Sequence, residues 1–173
     1  MLPKQVVSYR QLLNEGLSKE EITKLSASLR IFPTPFKGVY YVPLEEERKG
    51  CFIEKPLAVL SRALSLFLDG APYYYSCETA EEFHGIRWRP SAEIHVVNEK
   101  KSGRINLRAR IERNQARKTW RARKIARILQ LYGTAIVFHR AKDISEVKTK
   151  QTPYGRFALR SQIRKDRKQF RCG

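Results

Sequence analysis

A cysteine, a histidine and three glutamates lie close together in YYYSCETAEEFHGIRW, residues 73–88. A thiol and an imidazole can form a nucleophilic active site, but only within hydrogen-bonding distance of each other. On a helix, Cys77 and His84 would lie two turns and roughly 10 Å apart, which is too far for that chemistry. The same stretch also has structural uses, because Ser76 can cap a short helix and Gly85 can end it. We therefore expect it to stabilise the fold rather than to catalyse a reaction.

A metal site would need more ligands than this stretch contains. His95 and His139 lie on predicted strands and do not have a spacing typical of zinc ligands. The three cysteines, Cys51, Cys77 and Cys172, include no CxxC and cannot all pair, so we expect reduced thiols. The sequence also lacks a P-loop and a dinucleotide-binding glycine pattern. It therefore predicts no metal and no cofactor.

A second candidate for chemistry follows the apolar strand EIHVV. Glu99 and Lys101 form an E-x-K at its end, which resembles half of a restriction-type nuclease site. Such a site also needs an upstream acid that reaches a divalent cation, and Asp69 and Glu78 are the candidates. Because E-x-K is common in lysine-rich chains, a Mg²⁺-dependent nuclease is an alternative and not the leading hypothesis.

Net charge is the strongest signal in the composition. The formal charge is +18 over 173 residues. Residues 1–99 contain 12 Lys/Arg and 13 Asp/Glu, whereas residues 100–173 contain 23 and 4. A general compositional bias would not leave the first half neutral, so we expect the second half to bind a polyanion. Nucleic acid is the commonest one in the cytoplasm, and an acidic protein is the alternative.

The sequence predicts a cytoplasmic protein with no membrane partner. No apolar run reaches the length of a membrane span. The segment MLPKQVVSYRQLL lacks the apolar stretch and cleavage site of a signal peptide.

Two predicted elements carry the cations of the second half. Residues 104–112 (RINLRARIE) alternate as in a strand, with Arg104, Arg108 and Arg110 on one face. Asn114 can cap a helix of about five turns that ends near Gly133. Together these elements predict a phosphate-binding surface.

The helix predicted over residues 115–132 is amphipathic. At about 100° per residue, Trp120 lies at the centre of its basic face. The cations of that face are Arg117, Arg123, Lys124 and Arg127. Guanidinium groups match paired phosphate oxygens. Trp120 can stack on a base or pack against a second subunit. A homodimer is therefore an alternative interpretation of this residue.

The first half predicts two short helices followed by a strand. Residues 8–15 predict the first helix, and Ser18 with Glu21 forms a capping box that opens the second. Two prolines then precede a turn at Lys37 and a β-rich run over residues 39–42. This order is that of a winged helix-turn-helix, and an ordinary αα-hairpin with a trailing strand fits equally well.

The remaining segments complete the prediction of the fold. They are a linker over 45–50, a core helix over 56–68, and strands over 93–98, 134–139 and 156–161. The basic tail, residues 164–173, is expected to stay disordered until it meets nucleic acid. The expected class is α+β, with a small N-terminal winged helix-turn-helix (1–44) followed by an α+β domain with a mixed sheet (51–163).

Three segments resemble the AbiEi-type antitoxin and transcriptional-regulator family of type IV toxin–antitoxin systems. They are LLNEGLSKEEITKLSASLRIFPTPFKGVYYVP, YYYSCETAEEFHGIRWRPSAEIHVV and EVKTKQTPYGRFALRSQI. The resemblance implies a DNA-binding repressor of its own operon that counters a nucleotidyltransferase-like toxin. It places five residues on the recognition helix and wing: Ser18, Lys19, Thr23, Lys24 and Lys37.

The leading hypothesis is therefore a regulator that binds double-stranded DNA, with a cognate toxin as a further partner. There are two alternatives: the Mg²⁺-dependent nuclease, and an RNA-binding module in which Trp120 and the arginines bind RNA.

Overall fold

The computed structural model describes residues 5–172 and contains both helices and strands, which confirms the predicted α+β class. The chain divides into two compact units. The first contains the residues up to Phe67 together with Leu107–Tyr132, and the second contains Leu68–Asn106 together with the residues from Gly133 onwards. Within residues 5–172, none of the helices combines the length and apolar character that crossing a bilayer requires.

The elements follow one another along the chain in this order: β1 (Val6–Ser8), α1 (Tyr9–Asn14), α2 (Lys19–Ala27), β2 (Phe32–Pro33), β3 (Val39–Tyr41), α3 (Glu45–Gly50), α4 (Pro56–Phe67), β4 (Tyr73–Tyr75), α5 (Cys77–Phe83), β5 (Glu93–Asn98), β6 (Gly103–Asn106), α6 (Leu107–Ala116), α7 (Trp120–Gln130), β7 (Ala135–Arg140), β8 (Thr149–Thr152), β9 (Gly155–Ala158) and α8 (Arg160–Phe170).

The first unit contains a small antiparallel sheet with the order β1-β3-β2. Helices α1 and α2 lie between β1 and β2 in the chain, and both begin at a capping box. In the second box, Ser18 Oγ accepts from the Glu21 amide at 3.2 Å and Glu21 Oε2 accepts from the Ser18 amide at 2.7 Å. This confirms the predicted start of α2. The two helices share an apolar core with the chain around them, formed by Val7, Leu12, Ile22 and Ile31.

The first unit also extends beyond the predicted segment 1–44. The predicted linker over residues 45–50 is wrong, because it forms α3. Three glutamates in its first turn complement the helix dipole, and buried Glu47 accepts a hydrogen bond from the Tyr41 hydroxyl at 3.0 Å. Helix α4 then buries an apolar face against β1 and β3. The charged residues of 45–50 therefore belong to a helix and not to a solvated linker.

The largest difference from the predicted elements lies between residues 104 and 132. The strand predicted over 104–112 ends at Asn106, and helix α6 begins at Leu107. The alternation of apolar residues continues to Ile111, but Leu107 and Ile111 are also one helical turn apart, and they are the two buried residues of α6. Arginine and alanine favour a helix, and the helical pattern prevails.

Asn114 lies inside α6 instead of capping the next helix, and its side chain donates to the Arg110 carbonyl at 2.8 Å. The cap of α7 is Thr119, whose hydroxyl accepts from the Ala122 amide at 3.2 Å. The predicted five-turn helix is therefore replaced by α6, a short turn and α7.

The second unit is built on a six-stranded mixed sheet with the order β6-β7-β5-β4-β9-β8. Strand β5 pairs in parallel with β7 and antiparallel with β4, and β4 pairs in parallel with β9. Strand β5 matches the predicted segment 93–98, and its last four residues are buried. Helices α5 and α8 pack against each other beside this sheet.

The basic tail is folded in the described residues up to 172. Residues Arg160–Phe170 form α8, and Gly173 lies outside the described part of the chain. The expectation of a disordered tail is wrong because the helix has an inward side, on which Ile163 and Asp166 are buried. The last strand, β9, accordingly ends at Ala158 and not at residue 161.

Candidate functional site

Helices α6 and α7 form a strongly basic pair in contact with each other, which we call the basic hairpin (residues 107–130). Residues 107–132 contain nine Arg/Lys and one acidic residue, Glu112. None of the ion pairs formed within residues 5–172 involves a cation of the basic hairpin. Its charge is therefore not neutralised by neighbouring carboxylates and is available to an external anion.

Helix α7 separates an apolar side from a basic side. Its buried residues are Ala122, Ala126, Ile128 and Leu129. On the other side, Arg123 and Arg127 are exposed, and Trp120 keeps 61% of its surface exposed. The Lys124 ammonium lies 3.9 Å from the centre of the Trp120 ring, which is a cation–π contact. The ring is therefore exposed and has one cation over a face, which leaves it accessible for stacking on a base or sugar.

The three arginines predicted on one face of a strand have three different environments. Arg104 lies on β6 in the second unit and forms an ion pair with Glu93. Arg108 is exposed on α6. Arg110 is half-buried, and its guanidinium donates to the Pro35 carbonyl at 3.2 Å. Of the three, Arg108 is thus free to bind phosphate, whereas Arg110 holds α6 against the segment between β2 and β3.

Arg110 is partly withdrawn from solvent, and Arg117 lies outside the helix face on which it was predicted. Burial lowers the pKa of Arg110, although a guanidinium stays charged at neutral pH. Arg117 is exposed but lies in the turn before α7, so it is not part of the α7 basic face.

The N-terminal residues implied by the family resemblance lie on or beside α2 and in the β2–β3 turn. Lys19 and Lys24 are exposed on α2, and Lys37 is exposed in the turn. The two hydroxyls are used within the helix, since Ser18 forms the capping box and Thr23 Oγ1 donates to the Lys19 carbonyl at 2.9 Å. Contacts of α2 with nucleic acid would therefore come mainly from its two lysines.

The E-x-K segment is held in a turn after β5. Asn98 Oδ1 accepts from the amides of Lys100 and Lys101 at 2.9 and 2.6 Å. Glu99 Oε1 accepts from the Ile144 amide at 3.0 Å. The two candidate upstream acids have other partners: Glu78 pairs with Arg87 at 3.2 Å, and Asp69 lies 3.9 Å from Lys100 Nζ. Within residues 5–172, Glu99 joins no group of three or more possible metal ligands.

The YYYSC stretch forms β4 and the start of α5. Ser76 stands at the N-cap position of α5, but its hydroxyl makes no cap hydrogen bond, and that part of the prediction is wrong. It donates instead to Asp166 Oδ2 at 2.6 Å. His84 ends α5, and its Nε2 lies 2.8 Å from the Ala158 carbonyl oxygen. His84 thus has a structural partner.

Asp166 is a buried carboxylate that ties α8 to β4. It is 1% exposed and accepts hydrogen bonds from three side chains. These are the Tyr74 hydroxyl at 3.0 Å, the Ser76 hydroxyl at 2.6 Å and Gln162 Nε2 at 2.8 Å. Burial and the adjacent Asp166 both raise the pKa of Tyr74, so its hydroxyl remains a donor at all ordinary pH values.

Four side chains from distant parts of the second unit converge beside this carboxylate, and we call them the Cys/His cluster. They are Cys77, His95, His139 and Cys172. One ligand atom from each residue, a sulfur or a ring nitrogen, lies within 4.8 Å of the other three. Cys77 and Cys172 are joined as a disulfide, contrary to the expected reduced thiols, and Cys51 is the free cysteine.

The two imidazoles of the Cys/His cluster face each other. His95 Nδ1 lies 2.9 Å from His139 Nε2. Burial lowers the pKa of His95, and burial followed by the neighbouring His95 lowers the pKa of His139 to about 4. Both rings are therefore neutral near pH 7.

No family model, curated protein or solved structure matches this chain. The resemblance to AbiEi-type regulators accordingly stays a prediction, and function has to be argued from the geometry of the chain itself.

Sequence reasoning found the concentration of cations in residues 107–130, though not the two helices that carry it, and missed the Cys/His cluster. The arginines of the hairpin are neighbours in the sequence. In contrast, 95 positions separate Cys77 from Cys172, and 44 separate His95 from His139. No spacing within a short segment could therefore have predicted this cluster. The two histidines lie on neighbouring strands, β5 and β7, and the two cysteines lie at the ends of helices α5 and α8, and no sequence pattern indicated that these elements meet.

Proposed function

We propose that this protein is a DNA-binding transcriptional regulator whose phosphate contacts come from the basic hairpin. The observation that carries the proposal is the charge of residues 107–132, nine cations against one acid, with no carboxylate of residues 5–172 paired to them. Arg108, Arg123 and Arg127 are exposed and carry the planar donor groups that suit phosphate oxygens.

The N-terminal elements favour duplex DNA over RNA as the target. The order β1-α1-α2-β2-β3, with β3 in the centre of the sheet, agrees with that expected of a winged helix-turn-helix. In such a motif α2 would enter the major groove and Lys37 would be at the tip of the wing. Since α2 also exposes Glu20 and Glu21, its net charge is low. We infer that α2 contributes register and that the basic hairpin contributes most of the affinity.

The target class is tested by fluorescence anisotropy with three labelled ligands of equal length: a DNA duplex, an RNA hairpin and a single DNA strand. We expect the full chain to prefer the duplex. Preference for the RNA hairpin would replace the DNA proposal with the RNA-binding alternative, and binding of none of the three would overturn both.

The role of the basic hairpin is tested by the double charge reversal Arg123→Glu/Arg127→Glu. Each charge removed from a phosphate contact costs affinity for every sequence, so we expect at least about a tenfold loss. The matched control is Arg164→Glu/Lys168→Glu on α8, two exposed cations of the second unit with the same change in net charge. Equal losses in both variants would mean that net charge, and not the hairpin, determines binding.

Autorepression and a cognate toxin enter the proposal through the family resemblance. Expression of the chain should lower the output of a reporter driven by the region upstream of its own gene, and Arg123→Glu/Arg127→Glu should restore that output. A nucleotidyltransferase-like neighbour that co-purifies with the chain would support the toxin partner. A reporter that does not respond would restrict the proposal to DNA binding without autorepression.

A further inference from the structure

The Cys/His cluster contains the donor set of a structural zinc site. Two sulfurs and two imidazole nitrogens are a common ligand set of Zn²⁺. The ligand atoms lie within 4.8 Å of one another. Tetrahedral zinc at about 2.3 Å from sulfur and about 2.0 Å from nitrogen needs ligand atoms roughly 3.3–3.8 Å apart, so small side-chain movements suffice.

The parallel pairing of β5 and β7 positions the two histidines. His95 is paired with Val137, and His139 is paired with Val97. Paired residues of adjacent strands project from the same side of a sheet, and so do residues two apart on one strand. His95 and His139 therefore share one face of the sheet as diagonal neighbours, which brings their nitrogens to 2.9 Å.

The two cysteines reach this face from the ends of two helices. Cys77 begins α5 and has a left-handed backbone, with φ of +52°. Arg171 ends α8 with φ of +53°, and the turn that it makes carries Cys172 inward. A left-handed conformation costs a residue with a side chain roughly 1 kcal/mol or more, so both turns need support from their surroundings.

The cluster is largely buried and has an aromatic neighbour. Cys77 is 0% exposed, His95 4% and Cys172 7%, and His139 is half-buried. The Phe170 ring stacks on His139 with ring centres 4.7 Å apart. On the other side of His95, Nε2 lies 3.7 Å from Glu93 Oε2, where a modest movement would give the carboxylate partner typical of a metal-bound histidine.

A disulfide alone does not account for this arrangement. It uses Cys77 and Cys172, and His95 Nδ1 and His139 Nε2 are partners of each other at 2.9 Å. Neither pairing accounts for the convergence of the two pairs, whereas a shared cation would be a partner for all four groups.

We propose that, when Cys77 and Cys172 are reduced, these residues and the two histidines bind one Zn²⁺ ion. The disulfide and the zinc site are alternative states, because both use the same two sulfurs. A dithiol reductant supplies two electrons and two protons, breaks the S–S bond and becomes a disulfide itself. The two thiols then lose their protons to solvent as two Zn–S bonds form.

Zinc would fasten the end of α8 to the β5–β7 face of the second unit. The ligands come from the start of α5, from both strands and from the residue that follows the turn after α8. Four protein ligands leave no open position for water or substrate, so the site is structural and not catalytic. The proposal does not rest on DNA binding, which is assigned to the first unit.

The test starts with the full chain reduced by dithiothreitol, loaded with Zn²⁺ and freed of excess metal, with zinc and protein then quantified. We expect one zinc per chain in the wild type, and a drop of about tenfold or more in metal affinity in Cys172→Ser and in His139→Gln. The matched controls are Cys51→Ser, the cysteine outside the cluster, and His84→Gln, the third histidine of the chain. Both controls should keep the zinc.

Co²⁺ provides a readout on the wild type that does not depend on whether a variant folds. Tetrahedral Co²⁺ with two thiolates shows intense visible bands and sulfur-to-metal charge-transfer absorption, and octahedral Co²⁺ shows neither. We expect the tetrahedral spectrum in the reduced chain, its replacement when Zn²⁺ is added, and its loss when the cysteines are oxidised. A reduced wild-type chain that retains neither metal, or a Cys172→Ser variant that binds zinc as well as the wild type, would overturn the proposal.

Discussion

The basic hairpin of the first unit and the Cys/His cluster of the second present their polar groups in opposite ways. In the hairpin, Arg123 and Arg127 stand in solvent without a carboxylate partner in the described chain. In the cluster, His95 is buried, and one ligand atom from each of the four residues lies within 4.8 Å of the others. Exposed charge without internal partners contributes little to folding and is available to ligands, whereas buried polar atoms stabilise the fold only when they are satisfied.

This contrast separates the effects expected from substitutions in the two regions. Changes in the hairpin should alter affinity for nucleic acid and leave stability nearly unchanged. Changes around the cluster should alter stability and leave affinity unchanged. A hairpin substitution that lowers stability, or a cluster substitution that lowers affinity for nucleic acid, would show that the two regions are not independent.

The largest effect is expected from Asp166→Ala beside the cluster. The substitution leaves the Tyr74 hydroxyl, the Ser76 hydroxyl and Gln162 without their acceptor, in a site where Asp166 is 1% exposed. Loss of a buried, hydrogen-bonded carboxylate should cost about 3 kcal/mol of unfolding free energy, measured by urea denaturation. The exposed Glu146→Ala is the control and should change the unfolding free energy by less than about 0.5 kcal/mol. A wild-type denaturation midpoint for Asp166→Ala would mean that the network does not anchor α8.

A smaller effect is expected from Arg110→Ala, which tests whether this arginine is structural. Its guanidinium donates to the Pro35 carbonyl, and its stem is half-buried, so its loss should cost about 1 kcal/mol of stability. The neighbouring Arg108→Ala should change stability by less than about 0.5 kcal/mol, because that side chain is exposed. Binding should show the reverse order. If Arg108→Ala proves the more destabilising, the assignment of the two arginines is wrong.

The smallest effect is expected from Trp120→Ala, which examines the exposed ring of the hairpin. Stacking on a base contributes about 1 kcal/mol or more, so affinity for the preferred ligand should fall about fivefold. Trp120→Phe should retain part of that affinity, and neither change should alter the denaturation midpoint, because the ring is 61% exposed. A change in sedimentation coefficient with no change in affinity would assign the ring to contact with a second subunit.

The sequence predicted best those features whose determinants are neighbours in the chain. Three such features are present in the structure: the Ser18–Glu21 capping box, the buried strand β5 and the amphipathic α7. Each depends on residues that are close together in the sequence. Residues 107–112 satisfied a strand pattern and a helix pattern at once, because Leu107 and Ile111 fit both periods. Local periodicity could not decide between them.

Features that depend on distant residues were not predictable from spacing. Ser76 stands at the position of a helix cap, but its hydroxyl donates a hydrogen bond to Asp166, which is 90 positions away in the sequence. The composition of the tail predicts a fully solvated segment. The structure instead buries Ile163 and Asp166 on one side of α8. The Cys/His cluster needs the β5–β7 pairing and the ends of two helices at once. Tertiary pairing, and not propensity, assembles these sites.

The salt dependence of DNA binding tests the role of the basic hairpin most directly. Each neutralised phosphate contributes about 0.9 to the slope of log K against log salt concentration. The wild-type chain should therefore bind a DNA duplex with a steep negative slope. Arg123→Glu/Arg127→Glu should reduce the magnitude of that slope by about 2, whereas Arg164→Glu/Lys168→Glu should leave it unchanged. A slope that Arg123→Glu/Arg127→Glu does not alter would contradict the assignment of phosphate contacts to α6 and α7.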